Sequence, residues 1–133
     1  MPKINKTKGQ LEAEISEAVI QFEKEYMGRG PKEIRTFIFE DMVMIRMRGV
    51  LTPAEKQLAK VNNGDTGRML IKQVRKELIE KGRTLIEAII KDLLSIDPTS
   101  MHTDISTVTG EKVIVFSLSE SFESAAEQHS VHQ

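Results

Sequence analysis

KEIRTFIFEDMVMIRMRGVL, residues 32–51, decides the fold. Isoleucine, valine, threonine and phenylalanine crowd it, as they crowd strands, and Glu40-Asp41 falls where a tight turn belongs. The stretch predicts two strands, over about 33–39 and 42–49, folded back on each other as an antiparallel hairpin.

Upstream, Leu11, Ile15, Val19, Phe22 and Tyr26 recur at helical spacing among Glu12, Glu14, Glu17, Glu23, Lys24 and Glu25. That pattern predicts an amphipathic helix over about 9–27, ended by Gly28-Arg29-Gly30-Pro31. Downstream, Thr52-Pro53-Ala54-Glu55 carries three helix-start signals at once: a hydroxyl cap, proline at the first helical position and glutamate two residues on. A short helix over about 53–61 follows, and Asn62-Asn63-Gly64-Asp65 breaks it. Next comes a long helix, about 66–94, with Leu70, Val74, Leu78, Leu85, Ile89 and Leu93 as its expected buried stripe. At ~1.5 Å per residue it runs to about 40 Å, twice the length of a short strand, so it must kink near Gly82 or overhang the sheet. MHTDIS (101–106) and KVIVFSL (112–118) read as a second hairpin around Thr109-Gly110.

The order α-β-β-α-α-β-β predicts a two-layer α+β domain. A four-stranded antiparallel sheet, made from two hairpins, lies under three helices. The domain is expected over 9–118, between a basic N-terminus at 1–8 holding Lys3, Lys6 and Lys8 and an acidic, disordered tail at 119–133.

With 133 residues the chain fits one domain, and one core is feasible at that size. It has no cysteine, which excludes thiolate catalysis and Cys-based zinc sites. The formal net charge of −1 argues against a nucleic-acid partner. No apolar run reaches the ~18 residues of a membrane span, and MPKINKTKGQ lacks the apolar centre of a signal peptide. The expected location is the cytoplasm, with any membrane attachment peripheral at its inner face.

A sheet with one wet face alternates apolar and polar residues, and these strands do not. Ile34, Thr36 and Ile38 oppose Phe37 and Phe39, Val43, Ile45 and Met47 oppose Met42 and Met44, and Val113 and Val115 oppose Ile114, Phe116 and Leu118. The helices cover one face only. The remaining patch is expected to hold Phe37, Phe39, Met42, Met44, Ile114 and Phe116 and to be buried in a homodimer or against a partner.

Candidate chemistry is sparse. Arg35, Arg46 and Arg48 on neighbouring strands, with Arg29 in the preceding loop, form a candidate anion-binding face, since guanidinium forks suit carboxylate, phosphate or carbonate oxygens. Pairing with nearby acids such as Glu33, Glu40, Asp41 or Asp104 is the plainer reading. His102 and Asp104, two apart on one strand, share a face as an acid–base pair requires, but no nucleophile accompanies them. His129 and His132 lack a third ligand. No enzyme activity, metal or cofactor is expected.

Several stretches together carry a resemblance. They are Tyr26 with Gly28-Arg29-Gly30-Pro31, Asp41, Gly49-Val50-Leu51-Thr52-Pro53-Ala54-Glu55, Arg75 and Arg83, His102-Thr103-Asp104-Ile105, and Gly110-Glu111-Lys112-Val113-Ile114-Val115-Phe116. Over about 9–118 the chain resembles the bacterial MpsC-like family, long grouped as a domain of unknown function. The junction Asn62-Asn63-Gly64-Asp65-Thr66-Gly67 is longer than that family's pattern. The resemblance implies a component of a sodium-translocating, membrane-potential-generating system whose membrane parts are similar to bicarbonate transporters. It implies an accessory or regulatory role beside a membrane transporter complex, exerted by protein contact, and it carries over no catalytic residues. The alternative is a small-anion sensor, for bicarbonate or a nucleotide, on the arginine-lined face.

Overall fold

The computed structural model describes residues 6–60 and 65–125. Its elements are α1 (Lys8–Tyr26), β1 (Glu33–Phe39), β2 (Met42–Arg48), α2 (Pro53–Leu58), α3 (Asp65–Leu94), β3 (Pro98–Ile105) and β4 (Lys112–Leu118). A helical turn at 122–125 follows. The fold is the expected α+β arrangement. Four antiparallel strands run in the order β1-β2-β4-β3, so the two hairpins join through β2 and β4.

The helix starts obey local chemistry. Thr7 and Gln10 form a capping box at α1, and Thr52 and Glu55 form the one foreseen at α2, with Pro53 in the first turn. Glu40 turns the β1–β2 hairpin in a left-handed conformation (φ 52°), which costs a residue with a Cβ about 1–2 kcal/mol. Its carbonyl accepts the Phe122 N–H at 2.9 Å, which helps hold the turn.

α1 and α3 lie side by side on one face of the sheet. Beneath them sit Ile38, Val43, Ile45, Met47, Met101, Ile105, Ile114, Phe116 and Leu118, all buried. α1 also closes the free edge of β1. The Ile38 N–H donates to Glu12 Oε2 at 2.8 Å, and the Ser16 and Thr36 hydroxyls are 2.8 Å apart.

Three expectations are corrected. The buried stripe of α3 is Gly67, Ile71, Arg75, Ile79, Gly82, Ile86, Ile90 and Leu94. The leucine stripe read from the sequence stands about 100° away on the helix, where Leu70, Val74 and Leu85 are exposed. α3 is one uninterrupted helix, and Gly82 lets Phe22 approach closely, with a Cβ there 2.5 Å from Phe22 Cζ. In β4, Ile114 and Phe116 are fully buried under the helices, and Val113 and Val115 take their places on the other face. The register decides this, since Phe116 lies opposite Val43 and Val115 opposite Met44. Finally, the domain runs past 118. Phe122 and Ala125 join the core, and the Leu118 N–H donates to the Asp41 carbonyl at 2.8 Å. The terminal segments 1–5 and 126–133, and with them part of each expected tail, lie outside the described residues, as do residues 61–64 of the helix junction.

Gly67 is the tightest point of the helical layer: a Cβ there stands 1.9 Å from the Leu58 carbonyl oxygen. Alanine gains about 1 kcal/mol of helix propensity but must push α2 away, and overpacking of this kind costs about 1–3 kcal/mol. Gly67→Ala is therefore expected to lower stability in urea unfolding, against the usual sign for a helical glycine.

Candidate functional site

The face of the sheet turned away from the helices is organised in cross-strand rows. Phe37, Met44, Val115 and His102 form one row, Phe39, Met42, Ser117 and Ser100 the next, and Arg35, Arg46, Val113 and Asp104 the third. Phe37, Met42, Met44, Val113 and Val115 are half-buried, shielded by one another, and Phe39 is 40% exposed. No helix among the described residues lies over this face. Of the six residues expected in the patch, Phe37, Phe39, Met42 and Met44 are there; Ile114 and Phe116 are in the core.

Three of the four candidate arginines gather at one end of this face. Arg35, Arg46 and Arg48 line a hollow of about 140 Å³ with Glu33 and Ile34. Their charges are largely answered within the chain. Arg46 Nε meets Glu111 Oε2 at 2.6 Å, Arg48 faces Glu33 at 3.9 Å, and Arg35 sits 5.1 Å over the Phe37 ring. Arg29 is elsewhere, donating to the Leu51 carbonyl at 3.3 Å.

Sequence reasoning missed a buried polar layer. Lys112 Nζ donates to Glu23 Oε2 at 2.7 Å, with both side chains almost wholly enclosed. Arg75 grips Glu55 with Nε at 2.8 Å and Nη2 at 2.7 Å, and Nη2 also reaches the Val50 carbonyl at 2.9 Å. These pairs tie α1 to β4 and α3 to the start of α2. Burial drives the Lys112 pKa below its ordinary value, against the pull of Glu23. At Glu55 burial raises the pKa, but hydrogen bonds from Arg75 and the Thr52 backbone outweigh it, so it sits below 4.5. Glu23 and Lys112 are 89 positions apart, so no local pattern signals them.

A second missed feature is a basic hollow of about 480 Å³ beside α2. Lys32, Lys56, Lys60 and Arg68 line it with Thr107 and Thr109, and among the described residues no carboxylate does. Arg68 is steadied by Asp65 at 2.7 Å and the Ala59 carbonyl. His102 and Asp104 share a face as foreseen, both exposed, with Asp104 turned to Lys72 at 3.4 Å. They border a cleft of about 480 Å³ between α3 and β3. No group of three potential metal ligands occurs among the described residues.

Comparison with known proteins places this geometry. Residues 7–120 match the family described as "Na+-translocating membrane potential-generating system (MpsC)". The chain is similar to a Bacillus subtilis (strain 168) protein described as "Uncharacterized protein YbcI", with 39% identity over 125 residues, spanning 94% of this chain and 98% of that one. No solved structure gives a significant match.

The buried layer yields two expectations. Removing one partner strands a charge: Glu23→Ala should cost about 3–5 kcal/mol in chemical unfolding, whereas Glu23→Leu with Lys112→Met should be near neutral. A carboxyl whose folded pKa is lowered lends stability above its ordinary value and loses it as pH falls through the folded value. Stability should therefore drop below about pH 4.5, and Glu55→Gln should flatten that acid limb.

Proposed function

The chain belongs to the MpsC family, and from that premise we propose that it is a non-catalytic accessory protein of a sodium-linked membrane transport system, acting by protein–protein contact. The observation that carries this reading is the open apolar face centred on Phe37, Met44 and Val115. An apolar surface of this kind, rimmed by charged side chains, marks contact sites on soluble domains. No helix among the described residues is long and apolar enough to cross a membrane, so the contact is made from the water side of a membrane-embedded partner. The non-catalytic reading draws support from His102 and Asp104, which are both exposed, with Asp104 facing Lys72.

Capture from detergent-solubilised bacterial membranes tests the reading. The wild-type chain should retain an ion-translocating membrane subunit, identified by mass spectrometry. Phe37→Asp should lose at least ~10-fold of it while keeping a folded circular dichroism spectrum, with some loss of stability because Phe37 is half-buried, and Phe39→Asp, at the exposed position of the same face, should lose it with little change in stability. Equal recovery by wild type and both variants, or none by any, sinks the contact reading.

Small-anion sensing has its own observation, at residues other than those the sequence pointed to. In the basic hollow, Lys32, Lys56 and Lys60 converge with Arg68 and, among the described residues, no lining acid, whereas Arg46 and Arg48 already face carboxylates. A ligand at 100 times its Kd adds about 2.7 kcal/mol. Millimolar bicarbonate, phosphate or pyrophosphate should then raise the melting temperature by several degrees, and Lys56→Glu with Lys60→Glu should abolish the rise. No shift with any of the three removes this reading.

A further inference from the structure

The two edges of the sheet are treated differently. At β1, Glu12 occupies the Ile38 N–H and α1 lies alongside. At β3, no strand pairs with the outer side among the described residues, and α3 stands across a cleft that Ile79, Met101 and Ile105 line together with Lys72, Lys76 and Glu80. An unpaired edge is a template for another strand. Pro98 and the register irregularity between Pro98 and Ser100 blunt the first part of β3, as protected edges are blunted. From Met101 to Ile105 the strand pairs with β4 regularly, and among the described residues no strand pairs with its other side, where the half-exposed Lys72 side chain reaches Asp104 at 3.4 Å and must turn aside for a partner.

We propose that β3 pairs antiparallel with β3 of a second copy about a twofold axis through Thr103, joining two four-stranded sheets into one of eight strands. The side chains select this register. With the axis at Thr103, His102 lies opposite Asp104 of the partner subunit, and Asp104 lies opposite the partner's His102. On the helix side, Met101 meets the partner's Ile105 and Ile105 meets the partner's Met101, beside the apolar floor of the cleft. A donor facing a carboxylate and apolar pairs placed across strands stabilise pairing, and like charges oppose it. Moving the axis to Asp104 sets two carboxylates face to face. Moving it to His102 sets two imidazoles together and leaves Met101 opposite a threonine. A twofold contact needs self-complementarity, and only the Thr103 register supplies it on both faces of the strand. The motif His102-Thr103-Asp104 thus finds a use in assembly that it lacks in catalysis. This inference is independent of the docking reading, since the axis leaves both outer faces open.

The chain has no cysteine, so a single introduced one forms a disulfide only between copies. Directly opposed residues of an antiparallel pair have Cα atoms about 4.5–5.5 Å apart, inside the disulfide range of about 4.4–6.8 Å. Wild-type protein should sediment as a dimer, and Thr103→Cys should oxidise to a covalent dimer with unchanged circular dichroism. Ser100→Cys, three positions from the axis, should not. His102→Asp should weaken the dimer about tenfold, and adding Asp104→His to it should restore most of the loss, since two cross-strand pairs are each worth about 0.2–1 kcal/mol. A wild-type monomer at micromolar concentration, a folded Thr103→Cys that stays uncrosslinked, or a double swap that fails to recover would each overturn the proposal. Faster crosslinking through Phe37→Cys than through Thr103→Cys would assign the contact to the sheet face instead.

Discussion

Two long helices can roof only one side of a four-stranded sheet, and this sheet carries an apolar patch on the other side as well. Everything else follows from that mismatch. The roofed side takes Ile45, Met47, Ile114 and Phe116 out of water completely. The other side shelters Phe37, Met42, Met44, Val113 and Val115 only by packing them side by side. A surface of this kind costs a free monomer solubility, and the proposed contact reading rests on it.

The roof itself is fastened by charge as well as by grease. Lys112 rises from β4 into α1 to reach Glu23, and Arg75 reaches from α3 to the Glu55 that already caps α2. Such pairs repay their desolvation poorly, yet they are geometrically demanding. Leu, Ile and Val would let α1 slide along the sheet. The Lys112–Glu23 pair fastens α1 to β4 at one point, and the Arg75 guanidinium, holding the capping Glu55, fastens α3 to the start of the short helix.

The elements were legible in the sequence because each was locally signed. The crowding of Ile, Phe and Val at 33–39 and 42–48, the Thr52-Pro53-Ala54-Glu55 cap and the four-residue spacing of α1 all concern neighbours in the chain. What failed was phase. In α3 the isoleucines 71, 79, 86 and 90 and the leucines 70, 78, 85 and 93 make parallel stripes one residue apart, and periodicity cannot choose between them. Arg75, set among the isoleucines, disguised the true one. In β4 both alternations are apolar, so only the pairing with β2 reveals that Phe116 points inward. The site suffered likewise: the outer face was legible in part, but Glu23–Lys112 and the Lys32–Lys56–Lys60 hollow join segments far apart in the chain.

The Glu12 carboxylate on the Ile38 N–H looks like a small detail of helix packing. Its larger effect concerns growth. A sheet with one sticky margin stops at two subunits, because the contact consumes it. A sheet with two sticky margins has no stopping rule, and subunits add end over end into a ribbon. By occupying an amide on β1, α1 would let the proposed β3 contact close at two subunits instead of propagating.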